Sequence, residues 1–148
     1  MEGTRPVMPA DHEEWLRMRM ALWPLSTREE LSGEITAYFK DQPDNNEVLV
    51  SPRADGGLQG MAELSIRTYV DGCFTNNVGY IEGWYVDPDM RGKGVGRALV
   101  RAAEQWARSR GCTEMASDTT LENEASQMAH QALGYRITER LVMFRKEL

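Results

Sequence analysis

The stretch Val86-Asp87-Pro88-Asp89-Met90-Arg91-Gly92-Lys93-Gly94-Val95-Gly96-Arg97-Ala98-Leu99 constrains this chain more than any other. An apolar strand, Val78 to Val86, runs into it. Val95, Ala98, Leu99, Ala102 and Trp106 leave it along one face of a helix that ends at Gly111, with Arg108 and Arg110 complementing the helix C-terminal dipole. A strand that passes through glycines straight into an amphipathic helix commits the fold to α beside β. It also aims unpaired backbone N–H groups and the positive end of the helix at one point, where an anion is stabilised. Gly92, Gly94 and Gly96 let the backbone approach that anion because no Cβ stands in the way. Spacing excludes two common phosphate binders, since neither G-x-x-x-x-G-K-[ST] nor G-x-G-x-x-G fits here.

The rest of the chain alternates in the same manner. Asp11 with Glu14 resembles a capping box, and Trp15, Met18 and Leu22 recur at helical spacing up to Pro24. A second helix is expected from Ser26 or Thr27 through Leu31, Ile35 and Phe39, stopping before Pro43. Glu47 to Ser51 and Leu58 to Arg67 read as strands joined through Asp55-Gly56-Gly57. After the central helix come a short strand, Met115 to Thr119, a helix, Asn123 to Ala132, and a final strand, Ile137 to Phe144. No repeat or linker divides the chain, so one domain over 1–148 and a mixed sheet of α/β or α+β class are expected.

Bulk properties narrow the partners. The 148 residues are 41% hydrophobic with a formal net charge of -6, which repels nucleic acid and favours a cationic ligand. No apolar run approaches the roughly 20 residues of a membrane span, and the first residues, Met1 to Arg5, lack the apolar stretch of a leader, so a cytoplasmic protein is expected. Cys73 and Cys112 are too few for a disulfide framework and have no zinc-ligand spacing, so reduced thiols and no metal are expected.

Four further residues stand out. Glu82 interrupts the alternation Val78, Tyr80, Glu82, Trp84, Val86, which places a carboxylate on an apolar face unless it turns to solvent or an Arg. Asp118 follows the short strand beside Ser117 and Thr119, and reads equally as a binding acid or as a cap of the next helix. Trp23 and Tyr69 are aromatic residues at a helix end and in a loop, suited to sugar rings and ammonium groups, although Trp23 fits the core as well.

Arg91-x-x-Gly94-x-Gly96 resembles the acetyl-CoA pyrophosphate motif of the GNAT superfamily, R/Q-x-x-G-x-G/A. Asn123, Ser126, His130, Gly134 and Tyr135 fall at the offsets of its second signature, N-x-x-A-x-x-x-Y-x-x-x-G-F. Within that superfamily the chain is similar to the aminoglycoside 6'-N-acetyltransferases along nearly its whole length. The similarity is carried by Trp15-x-x-Met18-Arg19-x-x-Leu22-Trp23-Pro24, by Ile81-Glu82-Gly83-Trp84-Tyr85-Val86, and by Met115-Ala116-Ser117-Asp118-Thr119-Thr120 with Glu122-Asn123 and Ser126-Gln127-x-x-His130.

The resemblance implies a GNAT fold, a mixed central sheet flanked by about four helices. It implies acetyl-CoA as co-substrate, bound at Tyr85, Val86, Arg91, Gly92, Lys93, Gly94, Val95, Gly96, Arg97, Asn123 and His130. Glu82 and Asp118 would be catalytic, with Trp23 and Tyr69 beside them on the acceptor, and an amide near Val86, where the strand bulges, would meet the thioester oxygen. A small homodimer that acetylates the 6'-amine of aminoglycosides is implied as well. His130 departs from the pattern, standing where many members carry a Tyr that protonates the departing thiolate. An imidazolium is able to serve there, and so is a residue that only packs. Two other readings stay open: a GNAT enzyme for a polyamine, peptide N-terminus or lysine, and a non-catalytic acyl-CoA-binding module.

Overall fold

The computed structural model describes residues 3–148, so the expectation about Met1 and Glu2 lies outside the described residues. Asp11 does open the first helix, α1 (His12–Leu22), by way of a 3-10 turn at Pro9–Asp11, but no capping box with Glu14 forms. The Asp11 carboxylate instead takes both terminal nitrogens of Arg5, at 2.7 and 3.0 Å, and the Met8 amide. Glu14 turns to Arg17 and to the Leu58 amide. Charged partners outside the helix have outcompeted its own first-turn amides. Thr27 caps α2 (Arg28–Asp41) by accepting from the Glu30 amide at 3.1 Å, and Gln42, at φ +44°, closes that helix before Pro43.

The strands are β1 (Arg5–Pro6), β2 (Asn46–Pro52), β3 (Leu58–Arg67), β4 (Val78–Val86) and β5 (Glu114–Ser117), paired in that order into one sheet. All neighbours are antiparallel except β4 and β5, which are parallel because α3 (Val95–Ser109) crosses over between them. α4 (Glu124–Ala132) follows β5, with Asn123 at its N-cap. Alternating residues of β2 and β3 feed two cores. Val48, Val50 and Met61 meet Trp15, Leu16, Met18, Leu31 and Ile35 of α1 and α2 on one face. Leu49, Ala62 and Leu64 meet Val95, Leu99, Val100 and Ala103 of α3 on the other.

Two sequence expectations are corrected by the sheet. The regular alternation of β4 fails at Glu82. Leu64 pairs with Ile81 and Glu63 with Gly83, so Glu82 is an extra, bulged residue. Past it the faces swap. Glu82 stays on the α1 side with Tyr80, whereas Trp84 lies against Gly96 of α3. The expected final strand, Ile137 to Phe144, is extended chain without strand pairing, and Leu141, Val142, Met143 and Phe144 are exposed, Phe144 at 91%. A strand exists only where a second backbone completes its ladder, and none of the described strands pairs with this segment.

The end of β4 is anchored before the glycine turn begins. Asp87, only 4% exposed, accepts from Arg17 of α1 at 2.8 and 3.0 Å and from Arg53 of the β2–β3 hairpin at 2.8 Å. Burial alone would push its carboxyl pKa up, but the two guanidiniums hold it below the ordinary value. Three elements that are remote in sequence are thereby fixed at the mouth of the turn.

Candidate functional site

The glycine turn has the geometry its sequence foretells. Gly94 is the N-cap of α3 at φ +88°, a left-handed conformation that L side chains rarely adopt, and no side chain caps the helix. The first-turn amides of α3 therefore remain available to a ligand. Gly96 sits so close to Trp84 that a Cβ there would meet the indole at 3.1 Å. The indole Nε1–H beneath it is buried and has no partner. Arg91 folds back along the strand end, donating from Nε to the Val86 carbonyl at 2.9 Å with its guanidinium 5.7 Å from the Tyr85 ring. An uncapped helix start preceded by glycines with open space around them fits an extended anionic ligand such as the pyrophosphate of acetyl-CoA.

From there β4 and β5 part. Their ladder ends at Ile81 with Ser117, so residues 82–86 of β4 have no partner on that side. Glu82, the bulged residue, stands at this fork, while Val86 pairs in register with Gly60. The register shift between β3 and β4 thus lies at Glu82 and Gly83, while the Asp87 amide donates to the Gln59 carbonyl of β3 at 2.8 Å, so the Val86 amide alternates to the side on which β4 has no partner. Trp23, the C-cap of α1, covers this point, its ring 2.8 Å from where a Gly83 Cβ would be. Any larger residue at 83 would expel the indole, a requirement the sequence alone did not signal.

Glu82 and Asp118 are joined by residues that sequence reasoning missed. Glu82 accepts from Ser65 Oγ at 2.6 Å and, in a fork, from Arg67 Nε and Nη2 at 3.0 and 2.7 Å. The Arg67 guanidinium lies flat over the Tyr80 ring, 3.5 Å from its centre, and the Tyr80 hydroxyl donates to Asp118. Burial and then that hydrogen bond raise the Tyr80 pKa, so the phenol stays a donor. The Glu82 hydrogen bond raises Arg67 in turn. Asp118 is thus the hydrogen-bond partner of Tyr80 and does not cap α4, a role filled by Asn123, whose side chain accepts from the Ser126 amide. Asp118, Tyr69, Tyr80, Arg67 and His130 line one cavity of about 1250 Å³, which the chain beyond Tyr135 borders. Glu82 lines a smaller one, of about 220 Å³, on the α1 side, and the glycine turn lines neither. Tyr69 is 73% exposed, its hydroxyl on Asp71, so it stands at the rim.

His130 is committed to structure. Nδ1 lies 2.7 Å from the Ser126 carbonyl, which only accepts, so Nδ1 donates there, and Nε2 lies within hydrogen-bond reach of Ser117 Oγ at 2.9 Å. Its ring meets Trp84 and Tyr135 edge-on at 5.2 and 5.9 Å. The ring is packed, and both of its nitrogens are hydrogen-bonded within the protein. His130→Phe is accordingly expected to keep most of its turnover, and stopped-flow release of CoA is the measurement. A collapse of kcat with acetyl-CoA affinity intact would make the residue the proton donor after all.

Comparison with known proteins agrees with this geometry. Residues 12–135 match the model of the acetyltransferase (GNAT) family. The chain is 48% identical over 145 residues to an aminoglycoside N(6')-acetyltransferase type 1 of Klebsiella aerogenes, covering 97% of this chain and 95% of the relative. It is 41% identical to one of Stenotrophomonas maltophilia, covering 97% and 92%. Among solved structures it is similar to AAC(6')-Iy in complex with the bisubstrate analogue CoA-S-monomethyl-acetylneamine, at 37% identity and a TM-score of 0.89 over 98% of this chain and 97% of that one. It is also similar to the 6'-N-acetyltransferase AAC(6')-IG of Acinetobacter haemolyticus, at 36% identity and a TM-score of 0.90 over 98% of both chains.

Proposed function

We infer, from the premise that this chain belongs to the acetyltransferase (GNAT) family, that it transfers the acetyl group of acetyl-CoA to the 6'-amine of aminoglycosides and so confers resistance to them. The observation that carries the reading is the full-length similarity to aminoglycoside N(6')-acetyltransferases, joined to an uncapped α3 terminus whose glycines leave room for an anion.

Transfer joins the acceptor nitrogen to the acetyl carbonyl carbon and breaks that carbon's bond to sulfur, which leaves with the electron pair and takes up the second proton that the nitrogen sheds on becoming an amide. An alkyl amine is mostly ammonium near neutral pH and has no free pair to attack with. Glu82, at the β4–β5 fork, takes its proton directly or through a water. Asp118, steadied by Tyr80, holds other amines and hydroxyls of the acceptor, with Trp23 and Tyr69 flanking. The Val86 amide, on the side of β4 that has no strand neighbour, receives the charge that develops on the thioester oxygen. Tyr85 and residues 91–97 hold the co-substrate, and Asn123 and His130 support it by fixing the start of α4 and Ser117. Burial raises the Cys73 and Cys112 thiols, which disfavours a thiolate and hence a covalent route.

An acetylation screen decides the acceptor. Kanamycin, tobramycin, spermidine and a lysine peptide are offered with acetyl-CoA, and CoA release is followed. Turnover on the aminoglycosides alone is the expected result. Preference for spermidine or peptide would reassign the acceptor, and no release with any of them would leave a binding module.

The same reading makes the protein a cytoplasmic homodimer with one domain per chain. Free Cys73 and Cys112 suit a reducing compartment, and no helix among the described residues is long and apolar enough to cross a membrane. Dimerisation is supported by the exposed apolar segment Leu141–Phe144 and by β5, which has a strand neighbour on the β4 side only. Two copies give each segment a backbone to pair with. Light scattering is expected to give about twice the chain mass of 16.8 kDa, and the pair Val142→Asp and Phe144→Asp should shift it to the chain mass. A wild-type protein that is monomeric at micromolar concentration contradicts the assignment.

A further inference from the structure

Arg67 brings a fixed positive charge into a site assigned to a polycation. Its guanidinium forks onto Glu82, stacks on Tyr80, and through the Tyr80 hydroxyl stands one residue away from Asp118. One cation therefore sits between the two carboxylates chosen for the acceptor. A carboxylate offers about four lone-pair positions. Ser65 and the two bonds from Arg67 take three of those on Glu82. The acceptor's ammonium seeks the same two oxygens.

We propose that Arg67 is a built-in competitor of the acceptor, a positioning residue whose fork on Glu82 opens when the acceptor's ammonium takes the carboxylate, so that it sets how cationic a substrate must be to enter. The inference rests on the assignment of Glu82 as the group that meets the amine. The pair is placed to open. Its side chains are 42% and 34% exposed, and a pair that accessible to water shifts an equilibrium by no more than about fivefold. Arg67 also keeps its stacking platform when the fork opens, because the contact with Tyr80 is made by the guanidinium face and not by the bonds to Glu82. A polyamine draws on Asp118 and the acidic surroundings as well as on Glu82, and so overcomes the competitor. A monoamine has only the one carboxylate and gains little.

Calorimetry of kanamycin titrated into the CoA-saturated protein tests this. Arg67→Met leaves an unbranched apolar stem over Tyr80 and removes the charge. It is expected to bind kanamycin about fivefold more tightly at low salt, with the gain shrinking as salt rises. Arg67→Lys keeps the competing charge and is expected to bind as the parent does. In a Glu82→Gln background the gain from Arg67→Met should vanish, because there is no longer a carboxylate to contest. Unchanged or weaker binding by Arg67→Met, with acetyl-CoA affinity intact, overturns the proposal and leaves the ammonium on the fourth lone pair with the fork closed. A gain that persists in the double variant overturns it too, as a general field effect. Parent-like turnover by Glu82→Gln alone strikes the role of Glu82 itself, a result separable from either of these.

Discussion

Replacing Glu82 by Gln is expected to lower kcat for kanamycin acetylation by about a hundredfold or more, the range in which a positioned general base contributes. The substitution is nearly isosteric. The amide oxygen still accepts from Ser65 or Arg67, so the bulge and the strand pairing are retained while the charge and the basicity are lost. What remains must use amine that has already lost its proton in solution, so the residual rate should climb with pH, about tenfold per unit below the amine's own pKa. Acetyl-CoA affinity should not move, because Glu82 faces α1 while the cofactor turn opens onto α3. Steady-state kinetics across pH provide both readouts. Parent-like kcat in this variant would remove Glu82 from the mechanism.

The second large effect belongs to the turn. Gly94→Asp should abolish measurable acetyl-CoA binding, a loss of more than about a hundredfold, since like charges forced together cost several kcal/mol and about 1.4 kcal/mol is tenfold. Space is not the obstacle, as nothing lies within 4 Å of a Cβ at Gly94. The backbone is, at φ +88°, together with a carboxylate set among the amides meant for phosphate. Gly94→Ala separates the two causes. It carries the strain alone, about 1 kcal/mol, and should weaken binding by less than about tenfold. Calorimetry with acetyl-CoA is the measurement, and unchanged affinity in Gly94→Asp would mean that the pyrophosphate lies elsewhere.

What the sequence made legible was local. A strand, a glycine turn and a helix are consecutive in the chain, and their meaning depends on nothing else, so α3 and its N-terminus were readable in full. Glu82 and Asp118 were readable as candidates because a carboxylate in an apolar or hydroxyl-rich run is anomalous by itself. Their partners were not readable. Ser65 and Arg67 lie 17 and 15 residues from Glu82, and Tyr80 lies 38 from Asp118, separations that only the sheet brings to contact. The bulge escaped for a related reason. Two strands decide register jointly, so a period-two reading of β4 alone continues past Glu82 where the ladder does not. Ile137 to Phe144 ends in an apolar run suited to a strand and has no neighbour to pair with, which is why propensity and structure part there.

The bulge in β4 also says which kinds of inherited change the site tolerates. Substitutions at the rim, such as at Tyr69, alter one contact and leave the framework standing. A one-codon deletion between Ile81 and Trp84 is another matter. It would restore an uninterrupted ladder with β3 and leave one residue where Glu82 and Gly83 now share a face, so the chain would still find its sheet, with the carboxylate either lost or driven into the Trp23 indole. Length in this strand is therefore held by function where stability alone would let it drift, and divergence in drug spectrum has to proceed by exchange of side chains at a constant residue count from Ile81 to Val86.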